Sequence, residues 1–245
     1  MKEHEIWLTR LFNEHLAGMG NALLGLVHVH AEDPARPWAN YITMQLVVAL
    51  LIVVLFAVLK SGLSVDRPGK LQHLAEIMYQ FLHGEAHDNV GHEGHRYLSL
   101  FGTLFIFILF ANLIGIIPGF ESPTQVPYVP AGLAMIAFLY YNWMGIRANG
   151  FGKYAAHFVG PIWWMAPLMI PIEIISHLAR PMSLTIRLFA NMYAGEQVTL
   201  VFLSLTYLIA PAIFMGLHVF VSFLQAYIFA LLTMMYVGGA VAHEH

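Results

Sequence analysis

From Tyr41 to Leu59 the chain runs without a single charged residue, and the same happens at several other places along it. A helix crossing the roughly 30 Å hydrocarbon core of a bilayer needs about 20 consecutive apolar residues. Tyr41–Leu59 therefore reads as a first membrane span, with Trp38 and Lys60 as interface anchors. A second span runs from Tyr97 to Ile117 and stops at Pro118-Gly119. A third runs from Tyr128 to Ile146, ahead of Arg147-Ala-Asn-Gly150. Residues 161–242 are one long apolar region in which Pro161, Pro167, Pro171 and Pro181 punctuate the first part. A break around Thr206–Pro211 then separates 172–204 from 211–241. Each of these last two segments exceeds about 45 Å as a helix, more than an upright span requires. They are expected to be tilted, kinked or partly parallel to the membrane.

The expected fold is an all-α integral membrane protein of about five embedded helices. Only 10% of the residues are charged and 59% are hydrophobic, against about 25% charged in an ordinary soluble domain. The net charge of −3 gives no sign of nucleic-acid binding. Cysteine is absent, which excludes disulfides, thiol chemistry and Cys-ligated zinc or iron–sulfur clusters. Two further helices are amphipathic. One follows Leu8, Leu11, His15, Met19, Leu23 and Leu26 near the N-terminus; acids at Glu3, Glu5 and Glu14 argue against a signal peptide. The other follows Leu71, Leu74, Ile77, Met78, Phe81 and Leu82 within the polar stretch 61–96. His83, His87, His92 and His95 read as a solvated loop, as do His28 and His30.

With five spans, Lys60, Arg67, Lys70, Arg96, Arg147 and Lys153 share one side, which the positive-inside rule makes cytoplasmic. The N-terminus is then outside and the C-terminus inside. Three stretches follow: an outer segment with its amphipathic helix (1–40), peripheral spans with the cytoplasmic-side amphipathic helix (41–160), and a long tilted hairpin (161–245).

Between Tyr154 and Ala242 only Glu173, Arg180, Arg187 and Glu196 are formally charged. Ionisable residues at membrane depth are costly and mark ion paths or buried pairs. Glu173, Ser176, Arg180, Ser183, Arg187 and Asn191 are spaced by three or four residues and so share one helical face. Glu196 follows Arg187 by nine residues, about half a turn round the helix, so the acid points away from the arginine. His218, Ser222 and Gln225 form a matching stripe on the last helix. A neutral imidazole passes protons near physiological pH, and burial can bring a carboxyl into the same range.

The run Pro181-Met-Ser-Leu-Thr-Ile-Arg-Leu-Phe-Ala-Asn-Met-Tyr-Ala-Gly-Glu196 resembles the signature of subunit a, the membrane stator subunit of F-type ATP synthase. Glu173-Ile-Ile-Ser176, Phe223-Leu-Gln-Ala-Tyr-Ile-Phe229 and Ala111-Asn-Leu-Ile-Gly-Ile-Ile-Pro-Gly119 agree with it, in matching order over residues 40–242. The resemblance implies a proton-translocating, non-catalytic subunit in a bacterial inner membrane. Its expected partners are the c-ring, the peripheral-stalk subunit b and the lipid bilayer; no cofactor is expected. Arg187 would be the fixed charge facing the ring carboxylates. Glu196, His218, Asn191 and Gln225 would serve the outer half-channel or the arginine's neighbourhood, and Glu173, Ser176 and Ser183 the inner half-channel. The near-horizontal hairpin of that family matches the two over-long helices. The segment GFESPTQVPYVPAG after Pro118 departs from the family, being richer in proline than its Thr/Asn-rich counterpart. His177 and Arg180 take no role from it. No further acid adjoins Glu196 in the sequence, which favours H⁺ over Na⁺. A haem- or quinone-binding respiratory subunit using His177 and His218 is the alternative. A passive scaffold would leave the charged stripes unexplained.

Overall fold

The computed structural model describes residues 5–26, 33–64, 68–117, 119–152, 154, 166–205 and 209–241. Its regular elements, among the described residues, are all helical. They are α1 (Trp7–Leu26), α2 (Asn40–Ser61), α3 (Lys70–Val90), α4 (Leu98–Leu113), α5 (Tyr128–Asn149), α6 (Ala166–Leu205) and α7 (Ile209–Val241), with short 3₁₀ turns at His92–Tyr97, Ile114–Ile116 and Pro123–Gln125. Four helical stretches are long and apolar enough to cross a membrane: Asn40–Ser61, His92–Ile116, Tyr128–Asn149 and Ala212–Val241. The charged helix α6, 40 residues long, is not one of these four. The expected all-α membrane architecture is therefore present.

α7 is the hub, packing against α3, α4, α5 and α6. The main core joins Phe101, Phe105 and Ile108 of α4, Tyr141 of α5, Leu184, Leu188 and Met192 of α6, and Ala226, Phe229 and Met234 of α7. A smaller cluster of Ile6, Met44, Val48, Ala111 and Ile114 ties α1 and α2 to α4. Outside these contacts α2 exposes Leu50, Val53, Val54 and Phe56, the apolar surface a lipid-facing helix presents. α3 exposes Leu71, Leu74 and Ile77, in keeping with a helix lying at the interface.

The N-terminal helix is kinked at Leu16 (φ −121°, ψ 15°). At the kink the Trp38 indole donates to the Leu16 carbonyl at 2.9 Å. Asn13 completes the join, accepting from the Trp38 backbone at 3.0 Å and donating to its carbonyl at 3.2 Å.

Three sequence readings are corrected. The penultimate helix does not begin at residue 172; α6 starts at Ala166 and continues through both Pro171 and Pro181. Each proline removes one backbone donor, but packing on α5 and α7 holds the helix together, and tertiary contact outweighs local propensity. His83 and His87 lie on α3, and His92 and His95 in the 3₁₀ turn after it, so this segment is helical and not a loop. The second span begins as that 3₁₀ turn and becomes α-helical at Leu98. The readings for His28, His30, Arg67, Pro118, Lys153 and Pro161, and for the break at 206–208, fall outside the described residues.

Candidate functional site

α6 carries the site. Its buried stripe, Leu184, Leu188 and Met192, faces the core. One residue earlier at each step, Ser183, Arg187 and Asn191 lie along an open edge between exposed Met182 and Ile186. The nearest polar partner of Arg187 is Ser183, whose Oγ accepts from Nη2 at 3.5 Å. Among the described residues no carboxylate lies within ion-pair distance of Arg187.

Towards the start of α6 a polar cluster forms against α5 and α7. The Arg180 guanidinium lies 3.8 Å from the Glu173 carboxylate and 5.4 Å from the centre of the Tyr236 ring. His177 is buried between them and α5, with its Nε2 at 2.9 Å from Asn142 Oδ1 and its ring edge-on to Tyr141. Tyr154 donates to the same Asn142 oxygen at 2.8 Å. Burial raises the Tyr154 phenol above its ordinary range, against the opposing pull of Arg180, so it stays a neutral donor. Glu173 thus sits in an ion pair, as sequence spacing allowed. His177 and Arg180, which take no role from the resemblance, are its immediate company. Ser176 is exposed beside this cluster.

Past Arg187 the hairpin closes through polar contacts. Asn191 donates to Gln225 Oε1 at 2.7 Å, so the two stripes meet across α6 and α7. One turn on, Gly195 lets the His218 ring lie against α6: a Cβ there would stand 3.0 Å from Nδ1. The other ring nitrogen, Nε2, is buried with no partner among the described residues, as is the Ser222 hydroxyl. No direct hydrogen bond joins His218 to Glu196 among the described residues.

Glu196 turns the other way, as its half-turn offset requires, into a cleft of about 570 Å³ lined by Asn40, Tyr41, Glu121, Gln125, Tyr193 and Gln197 among others. With its amide nitrogen turned to the acid, Gln125 donates to both Glu196 oxygens, at 3.1 Å for Oε1. Asn40 donates to Glu121 at 3.3 Å and accepts from the Ile6 backbone at 3.3 Å. The turn bearing Gln125 is pinned from below. Thr124 donates to Asn112 Oδ1 at 2.6 Å, Ser122 donates to the Ala111 carbonyl at 2.9 Å, and the two hydroxyls are 2.7 Å apart. Sequence reasoning missed Asn40, Asn112, Glu121 and Gln125. The polar residues of 119–125 lie in the proline-rich outer segment that departs from the family, and only the Asn in an apolar run carried a signal. No acid adjoins Glu196 in the sequence, but the fold brings Glu121 into the same cleft.

Polar groups thus bracket a solitary arginine along one helix. Glu173 lies about 21 Å before it and Glu196 about 14 Å after it, measured along the axis. The ATP synthase A chain family matches residues 41–238 of this chain. The chain belongs to that family. It is 70% identical to ATP synthase subunit a of Solibacter usitatus (strain Ellin6076), over 96% of this chain and all of the relative. It is 48% identical to ATP synthase subunit a of Koribacter versatilis (strain Ellin345), over 99% of both. ATP synthase subunit a 1 of Syntrophotalea carbinolica is 44% identical, over 84% of this chain and 87% of the relative. As a member of the family the chain is a non-catalytic, proton-translocating Fo subunit, and its spans and bacterial relatives make it a bacterial membrane protein. The respiratory alternative finds no support. It also fails on geometry, because His218 packs at Gly195, 18 residues beyond His177 on α6, about 27 Å along the helix. That is too far for two ligands of one haem.

Proposed function

We propose that Arg187 is the fixed charge of the proton path, placed between an outer and an inner half-channel and facing the carboxylates of a rotating c-ring. The observation that carries this reading is the solitary state of Arg187. A guanidinium at membrane depth is costly without a countercharge, and none of the described residues supplies one. Its open edge, flanked by exposed Met182 and Ile186, suits a partner that brings the carboxylate with it. Arginine stays protonated under essentially all conditions. It therefore keeps a passing carboxylate ionised and itself relays no proton, which bars a direct leak between the two channels.

The outer half-channel opens at the cleft of Glu121, Gln125 and Glu196 and continues past His218 to Asn191 and Gln225. The unpartnered Nε2 of His218 suits a relay there. The inner half-channel runs along Glu173, Ser176 and Ser183. In the membrane, the hairpin of α6 and α7 lies steeply tilted against the ring, subunit b of the peripheral stalk is a further partner, the N-terminus is outside and the C-terminus is cytoplasmic. Changing Arg187 to alanine is expected to abolish coupled ATP synthesis while leaving the chain in the membrane. ATP-driven proton pumping retained by inverted vesicles of that variant would overturn the assignment.

A further inference from the structure

At the end of the bundle opposite Glu196, three membrane spans terminate around a second cleft, of about 470 Å³. Arg96 reaches it from the 3₁₀ turn that opens the second span, Arg147 from the last turn of α5, and Val241 is the final residue of α7. Tyr97, Tyr140 and Met144 complete an aromatic and apolar wall, with the two phenol rings edge to face at 6.4 Å. Neither phenol hydroxyl is bonded to another described residue. Arg96 is balanced by Glu93, 3.0 Å away in the same cleft. Arg147 has no carboxylate within ion-pair distance among the described residues. Two guanidiniums and one carboxylate leave the cleft with one net positive charge.

Arg147 alone would be accounted for as the C-terminal cation of α5, offsetting that helix's dipole. A second guanidinium and the Tyr97 phenol, reaching the same cleft from the 3₁₀ turn, and the Tyr140 phenol on α5 itself need a further reason. A phosphodiester fits: it carries one negative charge and accepts from planar guanidinium forks and phenol hydroxyls. The site lies where spans end, and exposed Trp143 one turn before Arg147 is an interfacial anchor beside it. We infer that Arg147, Arg96, Tyr97 and Tyr140 bind the phosphate of an anionic phospholipid at this membrane boundary. The inference does not depend on the proton path, because none of these residues lies on it. Glu93 sets the affinity by cancelling one of the two cations.

Lipid retention by the full-length chain tests this, using native mass spectrometry after exchange into detergent with phosphatidylglycerol, phosphatidylcholine or inorganic phosphate. The wild type is expected to keep phosphatidylglycerol over phosphatidylcholine. Arg147→Gln is expected to lower phosphatidylglycerol retention about fivefold, the effect of one interfacial cation. Arg96→Gln should lower it by a similar factor, and Glu93→Gln should raise it by a similar factor. Arg36→Gln, at the other end of the molecule and paired with Glu5 at 3.5 Å, should leave it unchanged. Equal retention of the two lipids by the wild type would overturn the inference. So would unchanged retention in Glu93→Gln, whose opposite sign cannot come from misfolding. Displacement of phosphatidylglycerol by millimolar inorganic phosphate would assign the cleft to free phosphate and overturn the lipid site.

Discussion

Replacing Thr124 with valine keeps the shape of the side chain and removes one hydroxyl from the base of the outer cleft. Thr124 and Asn112 are both fully buried and joined by a 2.6 Å hydrogen bond. In Thr124→Val the Asn112 oxygen loses that donor, and an unsatisfied buried acceptor costs about 1–3 kcal/mol. Asn112→Leu removes the acceptor instead and also ends the long contact to the Ser222 carbonyl at 3.4 Å. The Thr124 hydroxyl can still turn to Ser122, 2.7 Å away, so the cost lies at the lower end of the same range. With both changes the pair becomes apolar on both sides, which is nearly neutral relative to either single change. The double variant is therefore less destabilised than the sum of the singles by at least about 1 kcal/mol. Thermal unfolding of the detergent-solubilised chain, followed through its five tryptophans, reads this at about 2–4 °C per kcal/mol for a chain of this size. Proton pumping should fall in Thr124→Val as well, because Thr124 holds the turn that presents Gln125 to Glu196. Strictly additive shifts, or a Thr124→Val variant with unchanged melting, would refute the view that this buried pair fixes the outer turn.

Gly195→Ala places a methyl 3.0 Å from His218 Nδ1; pumping should drop partially, and more severely in Gly195→Val, measured in inverted vesicles. A methyl at Gly238 would overlap the Asn89 carbonyl oxygen, which is backbone and cannot step aside. Gly238→Ala should therefore lower the amount of folded chain by pushing α7 off α3, read by size-exclusion yield. Glu173→Gln breaks a half-exposed ion pair that is already 3.8 Å long, and Arg180 keeps its place over Tyr236. Its stability cost should stay within about 1 kcal/mol, seen as a melting shift of no more than a few degrees.

The spans and the Arg187 face were legible because both rest on periodicity within one segment. α2 and α5 fall within three residues of the apolar runs that announced them. The half-turn between Arg187 and Glu196 follows from helix geometry alone, and the fold keeps it, with one residue on the open edge and the other in the outer cleft. The start of α6 was not legible, since Pro167 and Pro171 locally argue for a break and only packing against α5 and α7 overrides them. The outer cleft was not legible for a different reason. Glu121 and Gln125 sit in a proline-rich stretch with no period, and their partners Asn40 and Glu196 lie 81 and 71 residues away in the chain. Nothing local distinguishes a solvated glutamine from one aimed at a carboxylate.

The position of Arg187 is set by its neighbour in sequence. Leu184, Leu188 and Met192 are buried at successive turns, and Ser183, Arg187 and Asn191 each precede one of them by a single residue. Core packing of the first stripe therefore fixes the angle at which the second is presented, about 100° round the axis. Leu188 is completely buried, and Leu188→Ala should cost about 2–5 kcal/mol through lost contacts and the cavity left behind. Coupling should suffer although every charge remains, because the helix can then settle at a different rotation. Ile186, on the other side of Arg187, is 57% exposed. Ile186→Ala should leave the melting of the isolated chain within about 0.5 kcal/mol of wild type, and any effect on pumping would have to arise at the partner surface. Opposite results for the two neighbours, with Ile186→Ala unfolding the chain and Leu188→Ala harmless, would mean that the buried stripe does not aim the arginine.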